Sequence, residues 1–75
     1  MRLEEIVSQV LEVDPQDIEE QTGYATHAAW TSIAHLEIVV IIEETLGVAL
    51  TASEIGESTS VGALRRLLKA RGVEA

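Results

Sequence analysis

The sequence predicts an all-α protein, a small antiparallel bundle of three longer helices plus one short helix, with a long first loop. Apolar residues recur at the three- and four-residue spacing of a helix face in three separate stretches, and cap-forming side chains stand ahead of the later ones. The core material is aliphatic: the chain has one Trp, one Tyr and no Phe. The Val39-Val40-Ile41-Ile42 run favours strand by propensity alone, yet the overall supply of Ala, Val, Ile and Leu suits packed helices better than a sheet sandwich. Helices are expected at about 2–13, 32–46, 52–57 and 60–71, within one domain spanning 1–75.

In the first helix Leu3, Ile6, Val7, Val10 and Leu11 share a face, and Glu4, Glu5, Ser8, Gln9 and Glu12 fill the other. Asp14-Pro15 is expected to end it, because proline disfavours a helical residue before it. From Pro15 to Trp30 no period persists, and a long ordered loop follows, pinned to the core by Ile18, Tyr24 and Trp30. A loop this long in a small domain calls for a structural or functional task. The second helix starts near Ser32, with Thr31 or Ser32 as N-cap, and Gly47 suits a left-handed C-cap. Thr51-Ala52-Ser53-Glu54 has capping-box spacing and opens the short helix, which Gly56 weakens. Ser58, Thr59 and Ser60 offer a cap for the last helix, whose apolar side is Val61, Leu64, Leu67 and Leu68. Its cations lie towards the C-terminal end, where the helix dipole favours them, and Gly72 closes it.

The second helix differs from the others in having two apolar stripes. At about 100° per residue, Ile38, Val39, Ile42 and Leu46 gather on one side without charge, as a core-facing stripe does. Ile33, Leu36 and Val40 gather on the other, interleaved with Glu37 and Glu44, and Glu43 borders them. Branched side chains among carboxylates on a solvent face suit a transient docking surface. Glu19 and Glu20, by contrast, have no apolar neighbour and are expected only to solubilise.

The net charge of −8 is unevenly spread: residues 3 to 64 hold twelve acids and no Lys or Arg. Such a surface repels nucleic acid and anionic lipid and attracts basic protein patches. At 75 residues the chain buries only about 60% of its unfolded surface, leaving little room for an enclosed active site. With no cysteine there is no disulfide, thiolate metal site or thiol nucleophile of its own. No charged-then-apolar leader and no span of about 20 apolar residues is present, so a cytoplasmic, monomeric protein is expected.

Trp30-Thr31-Ser32-Ile33-Ala34-His35-Leu36-Glu37, followed by Glu43-Glu44 and Gly47, resembles the acyl carrier protein family. The likeness extends over essentially the whole chain, through Asp14-Pro15, Ile18, the Thr51–Glu54 start and Ser60-Val61. The family's signature is Asp-Ser-Leu, whose serine carries 4'-phosphopantetheine from coenzyme A and whose following acidic helix meets partner enzymes. The resemblance implies that Ser32 is the attachment serine, that Glu37, Glu43 and Glu44 are recognition acids, and that Ile33, Leu36 and Val40 are apolar contacts. It implies a phosphopantetheinyl transferase as one partner, with acyl-loading, ketosynthase or acyltransferase-type enzymes bearing basic patches as others. Trp30 before the motif and Ala34-His35-Leu36 after it look most like free-standing carriers of polyketide and related specialised-metabolite pathways. An arm bearing acyl groups as thioesters, on a protein that is no enzyme itself, is the implied function.

One position departs from the family pattern: Thr31 stands where its aspartate is expected. Threonine still caps the helix but offers no carboxylate to a transferase, which keeps open an unmodified interaction domain. An aminoacyl or peptidyl carrier is the other alternative, although Ala28-Ala29-Trp30-Thr31 lacks the Gly-Gly-x-Ser pattern usual there. Ser32 and His35, three apart, have the spacing of a nucleophile–base dyad, but no acid is placed to orient the imidazole, and His35 is expected instead to pack against a loop at the core's rim. His27 and His35 match no metal-ligand spacing.

Overall fold

The computed structural model describes residues 1–75. Four helices appear and no strands: α1 (Leu3–Leu11), α2 (Ser32–Leu46), α3 (Ala52–Glu57) and α4 (Val61–Ala70). Leu3, Ile6, Val7 and Leu11 of α1, Ile38 and Ile42 of α2, and Val61, Leu64 and Leu68 of α4 form one cluster, completed by Ile18, Trp30 and Ala34. No helix is long and apolar enough to cross a membrane.

The first helix stops at Leu11, two residues before the expected end, and proline is not the reason. Glu12 turns left-handed, at φ 58°, and Val13 N–H closes back on the Ser8 carbonyl at 3.2 Å. Pro15 instead opens a single 3-10 turn, Pro15–Asp17, capped by Asp14, whose side chain accepts from Gln16 N. At the far end, Ser60 caps α4 from outside, accepting from Ala63 N at 3.2 Å. Arg71 likewise lies beyond α4, and Val73 N–H returns to the Leu68 carbonyl at 2.8 Å.

The long loop is stitched to the start of α4. Tyr24 N–H donates to the Thr59 carbonyl at 2.9 Å, Val61 N–H to Thr22 at 2.9 Å and Gly62 N–H to Glu20 at 2.8 Å. Gly23 lets the two backbones meet: a Cβ there would lie 2.3 Å from the Thr59 carbonyl oxygen, and backbone cannot move aside cheaply. Ile18 and Trp30 are buried as expected, but the Tyr24 side chain is exposed and does not anchor the loop in the core; only its backbone does so, at Thr59.

The cations in and just after the last helix also do more than answer a dipole. Arg65 pairs with Glu4 of α1 and, at 3.2 Å, with Glu20 of the loop, so Glu20 is no idle solubilising charge. Arg71 pairs with Glu54 of α3 and donates to the Ala49 carbonyl at 2.9 Å. Because α3 contains no buried residue, such polar ties carry much of its attachment.

Candidate functional site

The entry into α2 follows from one capping interaction. Thr31 is extended, at φ −85° and ψ 175°, and its Oγ1 accepts from Ala34 N at 3.1 Å. Thr31 is therefore the N-cap and Ser32 the first helical residue, with its side chain left exposed. The Ser32 and Ile33 N–H groups precede the first backbone bond of the helix, which His35 N–H makes to the Thr31 carbonyl at 2.9 Å. Ser32 borders a shallow hollow that Tyr24, His27, Ala28, Thr31 and Ile33 also line. The sequence placed Tyr24 in the core; it is exposed instead, next to Gly23, whose backbone bridges to Ser60.

This arrangement suits a serine joined to a phosphate. The first turn of α2 holds no acidic side chain, so no carboxylate opposes a phosphodiester there. The helix dipole and the two free amides favour its negative charge. What the site lacks is a base. His35 is 7% exposed, its Nδ1 accepts from Trp30 Nε1 at 3.1 Å, and its Nε2 lies 2.8 Å from the Ile55 carbonyl oxygen. Both ring nitrogens are thus engaged away from Ser32, which removes the dyad; the imidazole meets the loop, as expected, through Trp30, but it is buried and reaches helix α3 as well, through Ile55. Nor does any group of three or more metal-ligating side chains form.

Along the helix the two stripes separate as their spacing predicts. Ile38, Val39 and Ile42 are buried and Leu46 is half-buried. Ile33, Leu36 and Val40 are 72%, 56% and 49% exposed, and they line one shallow apolar groove with Glu37 and Ile41. Ile41 is an addition: the helical wheel assigned it to neither stripe, yet it is half-buried and lines the groove. Glu37 and Glu44 are exposed, whereas Glu43 is half-buried and its Oε2 accepts from Leu50 N at 2.9 Å. One oxygen of Glu43 is therefore committed to holding the α2–α3 connection, a contact seven residues away that no wheel displays.

No curated protein matches the chain by sequence. A family model for the phosphopantetheine attachment site does match it, over residues 2–68, from the start of the first helix to Leu68 in the last. That span takes in the four helices almost whole, together with the long loop and the exposed serine. The chain therefore belongs to the phosphopantetheine attachment family, whose members hold 4'-phosphopantetheine covalently and act as carriers, not as enzymes.

Proposed function

We propose that Ser32 holds the arm and that the protein is an acyl carrier, presenting acyl groups to enzymes of polyketide, fatty-acid or related specialised-metabolite biosynthesis. The observation that carries this reading is an exposed hydroxyl at the first residue of α2, next to a groove of exposed Ile33, Leu36 and Val40. When bound, the arm supplies a flexible terminal thiol for a chain that has no cysteine. A lone serine hydroxyl is a weak nucleophile, so the base and metal for loading come from the transferase. The Ser32 oxygen bonds to the pantetheine-side phosphorus as the pyrophosphate bond of coenzyme A breaks, adenosine 3',5'-bisphosphate leaves, and the hydroxyl proton passes to the transferase's base.

Ile33, Leu36, Glu37, Val40 and Glu44 form the docking flank for the transferase and for acyl-loading, ketosynthase or acyltransferase-type enzymes. Glu43 adds the charge not spent on Leu50. A net charge of −8 favours basic patches on those partners. The polyketide assignment draws on Trp30 and Ala34-His35-Leu36, the pattern that resembles such carriers.

A second reading, a carrier-like interaction domain never modified, is favoured by Thr31, whose Oγ1 is spent on Ala34 N and which offers no carboxylate. Incubation with coenzyme A and a broad-specificity phosphopantetheinyl transferase separates the two. The expected result is the added mass of one arm, abolished by Ser32→Ala; a wild-type chain that stays unmodified overturns the carrier reading. Thr31→Asp is expected to speed the addition. Mass spectrometry of the protein from its host distinguishes acyl from aminoacyl cargo.

A further inference from the structure

Trp30 and His35 are buried side by side, with ring centroids 5.9 Å apart, and the attachment chemistry uses neither. An indole nitrogen only donates, so the Trp30 Nε1–H requires His35 Nδ1 to be a bare acceptor. The proton of the neutral imidazole then sits on Nε2, which donates to the Ile55 carbonyl at 2.8 Å. One ring thus joins the loop ahead of Ser32 to α3. Both elements need the tie. Trp30 is the single buried residue between Tyr24 and Ile33, and α3 has none of its own.

We propose that His35 is a positioning residue for the Ser32 hydroxyl: its Nε2–H tautomer locks the Trp30 indole, two positions ahead of Ser32, and α3 into one arrangement. The consequence for loading rests on Ser32 as attachment residue; the tie itself does not. From the fixed indole, short backbone bonds run through the loop, Trp30 N–H to the His27 carbonyl at 3.0 Å and Thr31 N–H to Ala29 at 3.0 Å. They hand the constraint to Thr31, whose cap sets the direction in which α2, and with it Ser32, begins. Without the imidazole, a buried indole N–H and the Ile55 carbonyl both lose their partner, and the apolar burial of Trp30 is left as the one core anchor of residues 25–31.

Two variants and one spectrum test this. His35→Leu keeps bulk and removes both hydrogen bonds, while His35→Gln retains an acceptor and a donor. In His35→Leu, amide exchange is expected to quicken about tenfold at Trp30, Thr31, Ile55 and Ser58 and to stay unchanged in α1 and α4. Loading by the transferase slows by a similar factor, and His35→Gln restores both. Nitrogen NMR of the wild type shows His35 protonated at Nε2 and bare at Nδ1. The proposal is overturned by a proton on Nδ1, by exchange that rises equally through α1 and α4, or by a loop and an α3 that do not respond together. A wild-type chain that accepts no arm but shows the expected exchange pattern removes the attachment reading and leaves the tie standing.

Discussion

Ile38 and Ile42 on one flank of α2 are fully buried, in the cluster shared with α1 and α4, while Ile33, Leu36 and Val40 on the opposite flank stand about half to three-quarters exposed. The two flanks use the same residue types. What separates them is their company: no ionised group falls among the buried set, whereas Glu37 and Glu44 border the exposed one. Leaving three branched side chains half to three-quarters exposed forgoes a corresponding share of the roughly 1.5–3 kcal/mol that full burial of each contributes. In a domain whose whole stability is of the order of 4–11 kcal/mol, that is a large sum to leave unused. The difference teaches that apolar content alone does not locate a core; the placement of carboxylates between the apolar positions does.

The sharpest way to break the comparison is to truncate both flanks. Ile38→Ala and Ile42→Ala are expected to lose about 2–5 kcal/mol, enough to bring the domain near unfolding, while Leu36→Ala and Val40→Ala stay within about 0.5 kcal/mol of wild type. Urea melts followed by the fluorescence of the single Trp measure all four. Equal losses on the two flanks would remove the distinction. Binding to the transferase should then give the reverse order, with Leu36→Ala and Val40→Ala weakening it by about tenfold and the conservative Ile38→Val leaving it unchanged.

The adjacent acids refine the boundary between the flanks. Glu43→Ala removes the acceptor for Leu50 N and is expected to lose about 1 kcal/mol in the same melts. Glu44→Ala, exposed and without an intramolecular partner, leaves stability unchanged and weakens binding to a basic partner at low salt. Similar stability losses for both would mean that Glu43 does not hold the turn after α2.

Most of this was legible from residues that lie close together in sequence. The α3 cap is one example: Thr51 Oγ1 accepts from Glu54 N at 3.1 Å and Glu54 Oε1 from Thr51 N at 2.9 Å, a reciprocal pair visible as a four-residue spacing. The two stripes of α2 were legible for the same reason, because a helix turns spacing into sides. The features missed are those that join distant positions. Arg65 meets Glu4 and Glu20 across 61 and 45 residues, Arg71 meets Glu54 across 17, and His35 reaches Ile55 across 20. No local pattern marks such partners. Tyr24 is another such case: it stands beside the Gly23–Ser60 bridge, a contact between positions far apart in the chain, and is exposed although its ring is apolar enough for a core.

The smallest expected effect concerns how the buried flank's neighbours are held in acid. Burial by itself raises the Glu4 carboxyl and leaves its Oε1 without a hydrogen-bond partner, but a backbone N–H and the Arg65 guanidinium outweigh this and hold Glu4 below its ordinary value of 4.5. Glu54 is lowered too, chiefly by the Thr51 backbone N–H and then by Arg71. A carboxyl lowered by folding binds fewer protons in the native state than in the unfolded one. Its contribution is therefore complete above about 4.5 and disappears as the pH falls through the folded value. For Glu4, partly open to solvent, that contribution is expected to be below about 1 kcal/mol. Thermal melts from pH 6 down to pH 3 should show a declining midpoint, with Glu4→Gln starting lower at pH 6 and falling less steeply. Parallel curves for wild type and Glu4→Gln would mean that the α1–α4 ion pair contributes nothing, and that aliphatic burial alone holds the flank facing α1.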